Sequence, residues 1–179
     1  DDLLQTSLGS VNTNGLVIND PENGNGGGYN YTILANGAFG TNGMNPSFVI
    51  ASGTLIYNLK TNVNSLGYNI AAINTYSGWA NSGRDSQAYT VSYSVVGNTN
   101  FIDLATVAMN NLGYSQEKWA ITKAGILASN VAAIKFTFPA QENGGVGYKE
   151  LDVIGTAAVA SVLPPAEPIV WENDMSTDP

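Results

Sequence analysis

The stretch from Ala88 to Val95 constrains the fold of this chain more than any other. It alternates small or polar side chains with large apolar ones, the large ones being Tyr89, Val91, Tyr93 and Val95. A period of two residues is typical of a β-strand that buries one face. The stretch therefore predicts a strand that places Tyr89 and Tyr93 in a core.

Other segments predict further short strands joined by loops rich in glycine and asparagine. The predicted strands are residues 29–34, 47–59, 68–75, 101–108, 119–126, 131–138 and 148–154. Phe136 and Phe138 are expected in the core, because 131–138 shows the same alternation. Residues 19–28 are polar and glycine-rich, which predicts a loop. No long stretch has helical periodicity, so the pattern favours an all-β sandwich or jelly roll.

The composition favours a secreted or cell-surface protein. The absence of cysteine is compatible with a bacterial extracellular module, since a domain of this size can rely on its core alone. Charged residues make up 11% of the 179 residues, against roughly 25% in typical soluble domains. The formal net charge of -8 repels phosphate backbones and anionic lipids. Nucleic acid and membrane surfaces are therefore poor partners.

Membrane insertion is not expected either. The longest nearly apolar run, 153–163, is shorter than the roughly 20 residues that span a bilayer. No basic segment followed by an apolar run opens the sequence, so we expect that any signal peptide has been removed.

The main alternative to a binding role is catalysis, and the residue types present exclude several catalytic mechanisms. The chain has no histidine and no cysteine, which excludes Ser-His triads, thiol nucleophiles and the common zinc sites. A pair of carboxylates about 5–10 Å apart, as in glycosidases, stays open. The candidates are Glu22, Asp85, Asp103, Glu117, Glu142, Glu150 and Asp152. Their spacing does not pair them, so we expect a protein that is not an enzyme.

The loop from Tyr76 to Gln87 is the candidate ligand site, because loops held by rigid strands carry most binding groups. Trp79 is the predicted platform, since an aromatic face can stack on a sugar while amides and charged groups bond its hydroxyls. The other predicted contacts, from this loop and a later one, are Tyr76, Asn81, Arg84, Asp85, Asn143 and Tyr148. Two alternatives stay open: Arg84 could pair with a carboxylate or loop carbonyls, and Trp79 could lie in the core or at its rim.

Three stretches carry a family resemblance. They are the turn at 35–41, the strand 84–94 with its Tyr-x-Val-x-Tyr-Ser pattern, and the segments 134–138 and 148–155, which close on Glu-Leu-x-Val-x-Gly. In their order and spacing they resemble the discoidin, or coagulation-factor type C, class of galactose-binding-like jelly-roll domains. That class includes many carbohydrate-binding modules of bacterial polysaccharide enzymes.

The resemblance implies an all-β, galactose-binding-like jelly-roll β-sandwich. It covers residues 2–156, which implies a domain at 1–156 and a proline-rich acidic linker or tail at 157–179. Fold alone does not settle function, since one fold can carry many unrelated functions.

The same resemblance implies a structural calcium ion between the early turn and the closing strand. Calcium takes carboxylate, amide and backbone oxygens. Carried over position by position, its ligands are the backbone of Ala35 and Ala38 with Asn36, Thr41 and Glu150. Asn36 stands where the family usually has aspartate, so weaker calcium binding is expected because an amide brings no charge. The alternative is a tight turn held by Asn36 alone.

Two functions follow. The first is a non-catalytic carbohydrate-binding module for a polysaccharide or glycan, expected to be neutral except where Arg84 or Lys149 gives local positive charge. The alternative is a structural or adhesive domain of a cell-surface or extracellular assembly, with other extracellular proteins as partners. A glycan binder should keep Trp79 exposed beside Arg84, whereas an assembly domain should show large apolar patches.

Overall fold

The computed structural model describes residues 1–21, 30–39, 47–79, 83–108 and 116–160. Its strands are β1 (Leu8–Pro21), β2 (Phe48–Leu59), β3 (Tyr68–Gly78), β4 (Tyr89–Val95), β5 (Ile102–Val107), β6 (Gln116–Thr122), β7 (Ala128–Phe138) and β8 (Val146–Ala157). A short helix, α1 (Leu3–Thr6), precedes β1, and 3-10 helices cover Tyr31–Ala35 and Glu142–Gly144. No helix in these ranges has the length and apolarity needed to cross a bilayer.

The strands form two layers in which every pairing is antiparallel. One layer has the order β1-β2-β7-β4-β5 and the other has the order β6-β3-β8. The layers join at two corners, where β2 pairs with β8 over residues 48–50 and β3 pairs with β7 at Tyr68 and Ile70. The chain is therefore a β-sandwich, as the short alternating segments predict.

Aromatic side chains fill the centre of the core. The ring centroids of Tyr89 and Phe136 lie 5.7 Å apart, and those of Phe138 and Tyr148 lie 5.1 Å apart. Tyr89, Phe136 and Phe138 are buried, which confirms the prediction from alternation. Tyr93 packs against the same core with part of its side chain exposed.

Three segments differ from the sequence prediction. The strand predicted at 119–126 is β6, which ends at Thr122, so residues 123–126 lie in the connection to β7. Residues 31–35 form a 3-10 helix and not a strand, because the Asn30 side chain accepts a hydrogen bond from the Thr32 N–H and caps the turn. Residues 19–21 are not a loop but the end of β1, which pairs with β2 as far as Pro21. Residues 8–18 lack a clear alternation, yet they form a strand because an edge strand needs only one partner.

The loops gather at two ends of the sandwich. The end that we call the Trp79 end comprises residues 36–39, 76–79, 83–88, 116–118 and 139–149. The opposite end, which we call the Val63 end, comprises residues 60–67, 95–101 and 123–127. The strand order sets this division, because neighbouring antiparallel strands start and stop at the same edges.

Candidate functional site

An aromatic ring and a cation stack at the Trp79 end. The guanidinium carbon of Arg84 lies 5.2 Å from the centroid of the Trp79 ring, within the range of a cation–π contact. Both side chains are partly exposed. Trp79 directly follows β3 and Arg84 lies five residues before β4, so paired strands hold both flanks of this loop. Trp79 therefore lies beside Arg84 with part of its side chain exposed.

A second loop, between β7 and β8, meets the loop that carries Arg84. The Asn143 side chain donates a hydrogen bond to the Gly83 carbonyl, and the Gly147 N–H donates one to the Arg84 carbonyl at 2.8 Å. Asn143 has a φ of 42°, a left-handed conformation that asparagine tolerates better than most residues. Its side chain is exposed. The two loops therefore bring Trp79, Arg84 and Asn143 to one surface.

Asp85 belongs to the same loop but is buried. It is 1% exposed, and neither carboxylate oxygen makes a hydrogen bond of normal geometry among the described residues. Burial raises the pKa of Asp85, the charge of Glu142 raises it further, and the nearby N–H groups of Asp85 and Arg84 offset part of the rise. The structure thus excludes Asp85 from direct ligand contact, because a buried carboxylate cannot reach a sugar hydroxyl.

Tyr148 is also removed from the predicted contacts. Its side chain is fully buried, and its hydroxyl accepts a hydrogen bond from Gln141 Nε2 at 3.4 Å. Burial raises the pKa of Tyr148 far above that of a free tyrosine. A side chain inside the core cannot stack on a ligand. Asn81, another predicted contact, lies outside the described residues.

Buried polar side chains fix the shape of this end. Gln141 Nε2 donates to the Ala88 carbonyl at 2.8 Å, and Gln87 Nε2 donates to the Thr75 carbonyl at 3.2 Å. Both glutamines are largely buried. A buried carbonyl that lost its donor would cost free energy, so these bonds hold the loops in place.

A cleft of about 520 Å³ opens beside Tyr76. Its described lining comes from the early turn, the end of β3, the start of β6 and β8, and comprises Ala38, Phe39, Tyr76, Ser77, Gln116, Glu117, Lys118 and Lys149. Phe39 meets the Tyr76 ring edge-on at 4.9 Å, and Lys118 Nζ lies 5.2 Å from the centroid of that ring. The cleft therefore has an aromatic wall with a cation above it.

The sequence did not predict that these residues form one cleft. It named Tyr76 but not Phe39 or Lys118. Lys118 is brought there by the pairing of β6 with β3, which sets Lys118 opposite Tyr76. No local pattern encodes that register. A phenylalanine within a predicted turn, at position 39, is the sequence feature that could have pointed to the cleft, and the structure exposes it.

Glu117 is the single carboxylate among the described residues of the cleft wall. Its Oε2 accepts a hydrogen bond from Trp119 Nε1 at 3.1 Å, and burial is the main cause that raises its pKa. A glycosidase needs two carboxylates on one cleft. The described wall does not supply that pair.

The residues predicted to hold calcium meet where the early turn packs on β8. Glu150 Oε1 accepts a hydrogen bond from the Gly37 N–H at 2.9 Å, and Asn36 Oδ1 accepts one from the Ala38 N–H at 2.8 Å. Ala35 ends the 3-10 helix just before this turn. Thr41 lies outside the described residues.

One oxygen at this junction has no partner. Glu150 is fully buried, and its Oε2 makes no hydrogen bond among the described residues. Burial is the main cause that raises the pKa of Glu150 to about 7, although the Gly37 N–H opposes it. A buried oxygen without a partner is a free ligand position, so the described residues fit a hard cation.

Comparison with solved structures identifies the fold. CpGH89CBM32-5 from Clostridium perfringens, in complex with GalNAc-β-1,3-galactose, matches with a TM-score of 0.51 and 18% identity over 86% of this chain and 99% of that chain. The family 32 carbohydrate-binding module of C. perfringens NanJ, in complex with galactose, matches with a TM-score of 0.38 and 18% identity over 57% of this chain and 66% of that chain.

An F5/8 type C domain from Bacteroides fragilis matches with a TM-score of 0.39 and 9% identity over 60% of this chain and 67% of that chain. No protein-family model matches the chain, and no curated protein matches it in sequence. The match to CpGH89CBM32-5 shows that the chain has the discoidin-like, galactose-binding-like β-sandwich fold. The fold implied by the three sequence motifs is confirmed.

Proposed function

We propose that this domain is a non-catalytic carbohydrate-binding module that recognises a glycan at the Trp79 end. The contact between Trp79 and Arg84 is the observation that carries the proposal, and Asn143 is bonded to Gly83, the residue before Arg84. Trp79 offers an aromatic face to the C–H groups of a sugar, and Arg84 and Asn143 offer donors to its hydroxyls. Paired strands and buried amides position all three, so little order has to be created on binding.

The cleft beside Tyr76, of about 520 Å³, offers space for a further sugar unit of the glycan. Tyr76 and Phe39 form an aromatic wall there, and Lys118 lies above the Tyr76 ring. Arg84, Asn143 and Lys118 can donate hydrogen bonds to sugar hydroxyls, so we expect a neutral glycan as the ligand. Because CpGH89CBM32-5 was solved with GalNAc-β-1,3-galactose, glycans that contain galactose or GalNAc are the first to test.

The test is a glycan screen by affinity gel, followed by calorimetry on the best ligand. Trp79→Ala is expected to lower the affinity by at least about tenfold, roughly 1.4 kcal/mol, because the stacking face is lost. Phe101→Ala is the matched control, since this partly exposed aromatic lies at the opposite end. Glycan binding that Trp79→Ala leaves unchanged would exclude this site.

The calcium ion implied by the resemblance belongs to the same proposal. Its oxygens would come from Glu150 and from the turn at Ala35, Asn36 and Ala38, with Thr41 adding a further ligand. When bound, the cation would supply charge that holds the turn on β8. Chelation is then expected to lower the thermal midpoint of unfolding, and an unchanged midpoint in excess calcium and in chelator would contradict it.

An extracellular location in a bacterium fits the low content of charged residues, and we propose it with the binding function. The linker role of 157–179 stays a prediction, because residues 161–179 lie outside the described part of the chain. Within the described part, Ala158 is buried and its N–H donates to the Gly67 carbonyl at 2.9 Å, so this residue packs against the sandwich.

A role in an extracellular assembly is the second candidate, and the Val63 end favours it. Apolar side chains exposed at that end are Val63, Leu66, Val96 and Ile126, with exposures of 74, 39, 38 and 46%. If they bind another copy or another protein, Val63→Ser with Ile126→Ser should abolish association in sedimentation experiments. A wild-type domain that stays monomeric at high concentration would leave self-association without support.

A further inference from the structure

Three carboxylates meet where the N-terminal segment packs on β8. One oxygen each from Asp2, Glu150 and Asp152 lies within 4.8 Å of the other two. Glu150 and Asp152 are two residues apart on β8, so they project from the same face of the strand. An isolated bridge between Asp2 and Ile154 brings Asp2 to that face. The cluster thus joins two distant parts of the chain.

One oxygen of Asp2 and one oxygen of Glu150 are fixed by backbone hydrogen bonds. Asp2 Oδ1 accepts from the N–H groups of Leu4 and Val153, each at 3.0 Å. Glu150 Oε1 accepts from the Gly37 N–H at 2.9 Å. These bonds orient both carboxylates, and they come from α1, from β8 and from the early turn.

The remaining oxygens are buried and unpartnered. Asp2 Oδ2 and Glu150 Oε2 make no hydrogen bond among the described residues, and Glu150 is 0% exposed. Buried polar atoms in proteins are nearly always satisfied by a protein group, a water or an ion. Charged carboxylates this close repel one another, so a proton or a cation has to offset the repulsion. Glu150 is buried, and Asp2 and Asp152 are only partly exposed, so the cluster differs from three fully solvated surface acids.

We propose that Asp2, Glu150 and Asp152 together bind a hard divalent cation of the calcium class. The inference deepens the calcium proposal above and rests on it for the role of Glu150. What is new is that Asp2 and Asp152 supply the negative charge that Asn36 lacks. Carboxylate oxygens are the ligands that calcium prefers, and its affinity rises with the number of charged ligands. The cation would fasten α1 and the early turn to β8.

Terbium luminescence tests the site directly, because Tb³⁺ occupies calcium sites and is excited through a nearby aromatic ring. Tyr57 is close enough for the charges of Glu150 and Asp2 to raise its pKa, although burial is the larger cause. Excitation of tyrosine in the wild-type chain is expected to give Tb³⁺ emission that Ca²⁺ displaces. Tyr57→Phe should reduce the emission without changing the calcium affinity measured by calorimetry.

Substitutions at the two new ligands decide the proposal. Asp2→Asn and Asp152→Asn are each expected to weaken Ca²⁺ binding by at least tenfold in calorimetry. Asp103→Asn is the matched control, because this exposed carboxylate lies on β5 and should leave the affinity within twofold of wild type. Asparagine keeps one acceptor oxygen at position 2, so the bonds to Leu4 and Val153 can persist.

The outcomes separate this proposal from the one it rests on. If Glu150→Gln weakens binding while Asp2→Asn and Asp152→Asn bind as wild type does, the ligands are those of the turn alone and the inference is overturned. If the wild-type chain binds no Ca²⁺, both proposals fail.

Hydrogen exchange of the wild-type chain gives a check that needs no variant. The amides of Leu4 and Val153 are expected to exchange more slowly in Ca²⁺ than in chelator, because the cation holds their common acceptor, Asp2. Equal protection of these amides in both conditions, in a chain that binds Ca²⁺, would place the ion elsewhere.

Discussion

The two ends of the sandwich are held together in different ways. At the Val63 end, the connection from β2 to β3 is a turn held by its own backbone bonds. The N–H groups of Val63 and Asn64 both donate to the Lys60 carbonyl, at 3.0 and 3.1 Å. The Gly67 N–H donates to the Asn64 carbonyl at 2.9 Å. These partners are at most four residues apart. The shape of the turn comes mainly from these local bonds. Distant segments then attach to it, since Asn130 Nδ2 donates to the Leu66 carbonyl and the Ala158 N–H donates to the Gly67 carbonyl.

At the Trp79 end the bonds run between loops that are far apart in the chain. Asn143 donates to the Gly83 carbonyl, and Gln141 donates to the Ala88 carbonyl. The donors lie after β7, whereas the acceptors lie before β4. The shape of this end therefore depends on the packing of the whole sandwich.

From this difference we expect substitutions at the two ends to have different effects on stability and on glycan binding. The Val63 end lies at the opposite edge of the sandwich from Trp79, so changes there should affect stability and not glycan binding. Side chains that bond across loops hold the Trp79 end, so the loss of one of those bonds should affect both stability and glycan binding. Four substitutions test this contrast.

Gly67→Ala should have the largest effect on stability. Gly67 has a φ of 74°, and a Cβ at that position would lie 2.7 Å from the Val131 carbonyl oxygen. We expect a loss of roughly 2–4 kcal/mol in denaturant unfolding, with glycan affinity unchanged in the folded fraction. Gly97→Ala is the control, because its φ of 78° is similar but a Cβ there meets nothing within 4 Å. Equal losses at both positions would show that the contact with Val131 is unimportant.

Gln141→Ala should come next and should affect both properties. It leaves the buried Ala88 carbonyl without its donor, which typically costs about 1–3 kcal/mol. Glycan affinity should fall as well, since the segment that leads from Arg84 to β4 loses a support. Asn98→Ala removes an exposed turn bond at the other end and should cost less than about 0.5 kcal/mol. A normal glycan affinity in Gln141→Ala would contradict the cross-loop explanation.

Asp85→Asn should stabilise the protein in a pH-dependent way. The pKa of Asp85 is raised in the folded state by burial, so its favourable contribution is present below the unfolded pKa, near 3.9, and is lost as the pH rises through the folded pKa. Removal of the charge should raise the free energy of unfolding by about 1 kcal/mol at pH 7 and by almost nothing at pH 3.

Urea unfolding at both pH values measures this effect, with the exposed Asp103→Asn as the control. An equal gain at pH 3 and pH 7 would mean that charge is not the cause. Because Asp85 is buried, glycan affinity should stay the same in Asp85→Asn.

Asn143→Ala should have the smallest effect on stability, about 0.5–1 kcal/mol, since the exposed side chain loses one hydrogen bond and alanine disfavours the φ of 42°. Glycan affinity is nevertheless expected to fall severalfold in calorimetry, because a donor beside Trp79 is removed. Asn143→Gly is a useful comparison, as it relieves the backbone and still lacks the donor. Affinity restored by glycine would show that the backbone, and not the amide, matters.

The sequence predicted the strands well where alternation is regular. Residues 131–138 fall within β7, and 68–75 fall within β3. It did not predict β1, because that edge strand has mostly exposed side chains and needs only β2 as a partner. It also predicted a strand over residues 31–34, where a cap from Asn30 favours a 3-10 helix.

The predicted site residues were likewise placed correctly in part. Loop composition pointed to Trp79, Arg84 and Asn143, and the structure brings these three together. Loop composition also pointed to Asp85 and Tyr148, which are buried. Residue type indicates that a side chain is able to bind a sugar, but not whether it faces solvent.

The sequence by itself determined the all-β class, the motifs of a discoidin-like fold and the chemistry of the loops, because alternation and turn residues act over a few neighbours. Only the tertiary structure decided which of those groups reach the surface and which distant residues meet. The cluster of Asp2 with Glu150 and the register that places Lys118 beside Tyr76 depend on pairings between distant segments. Those contacts form only when both layers of the sandwich are closed, so no local pattern can report them.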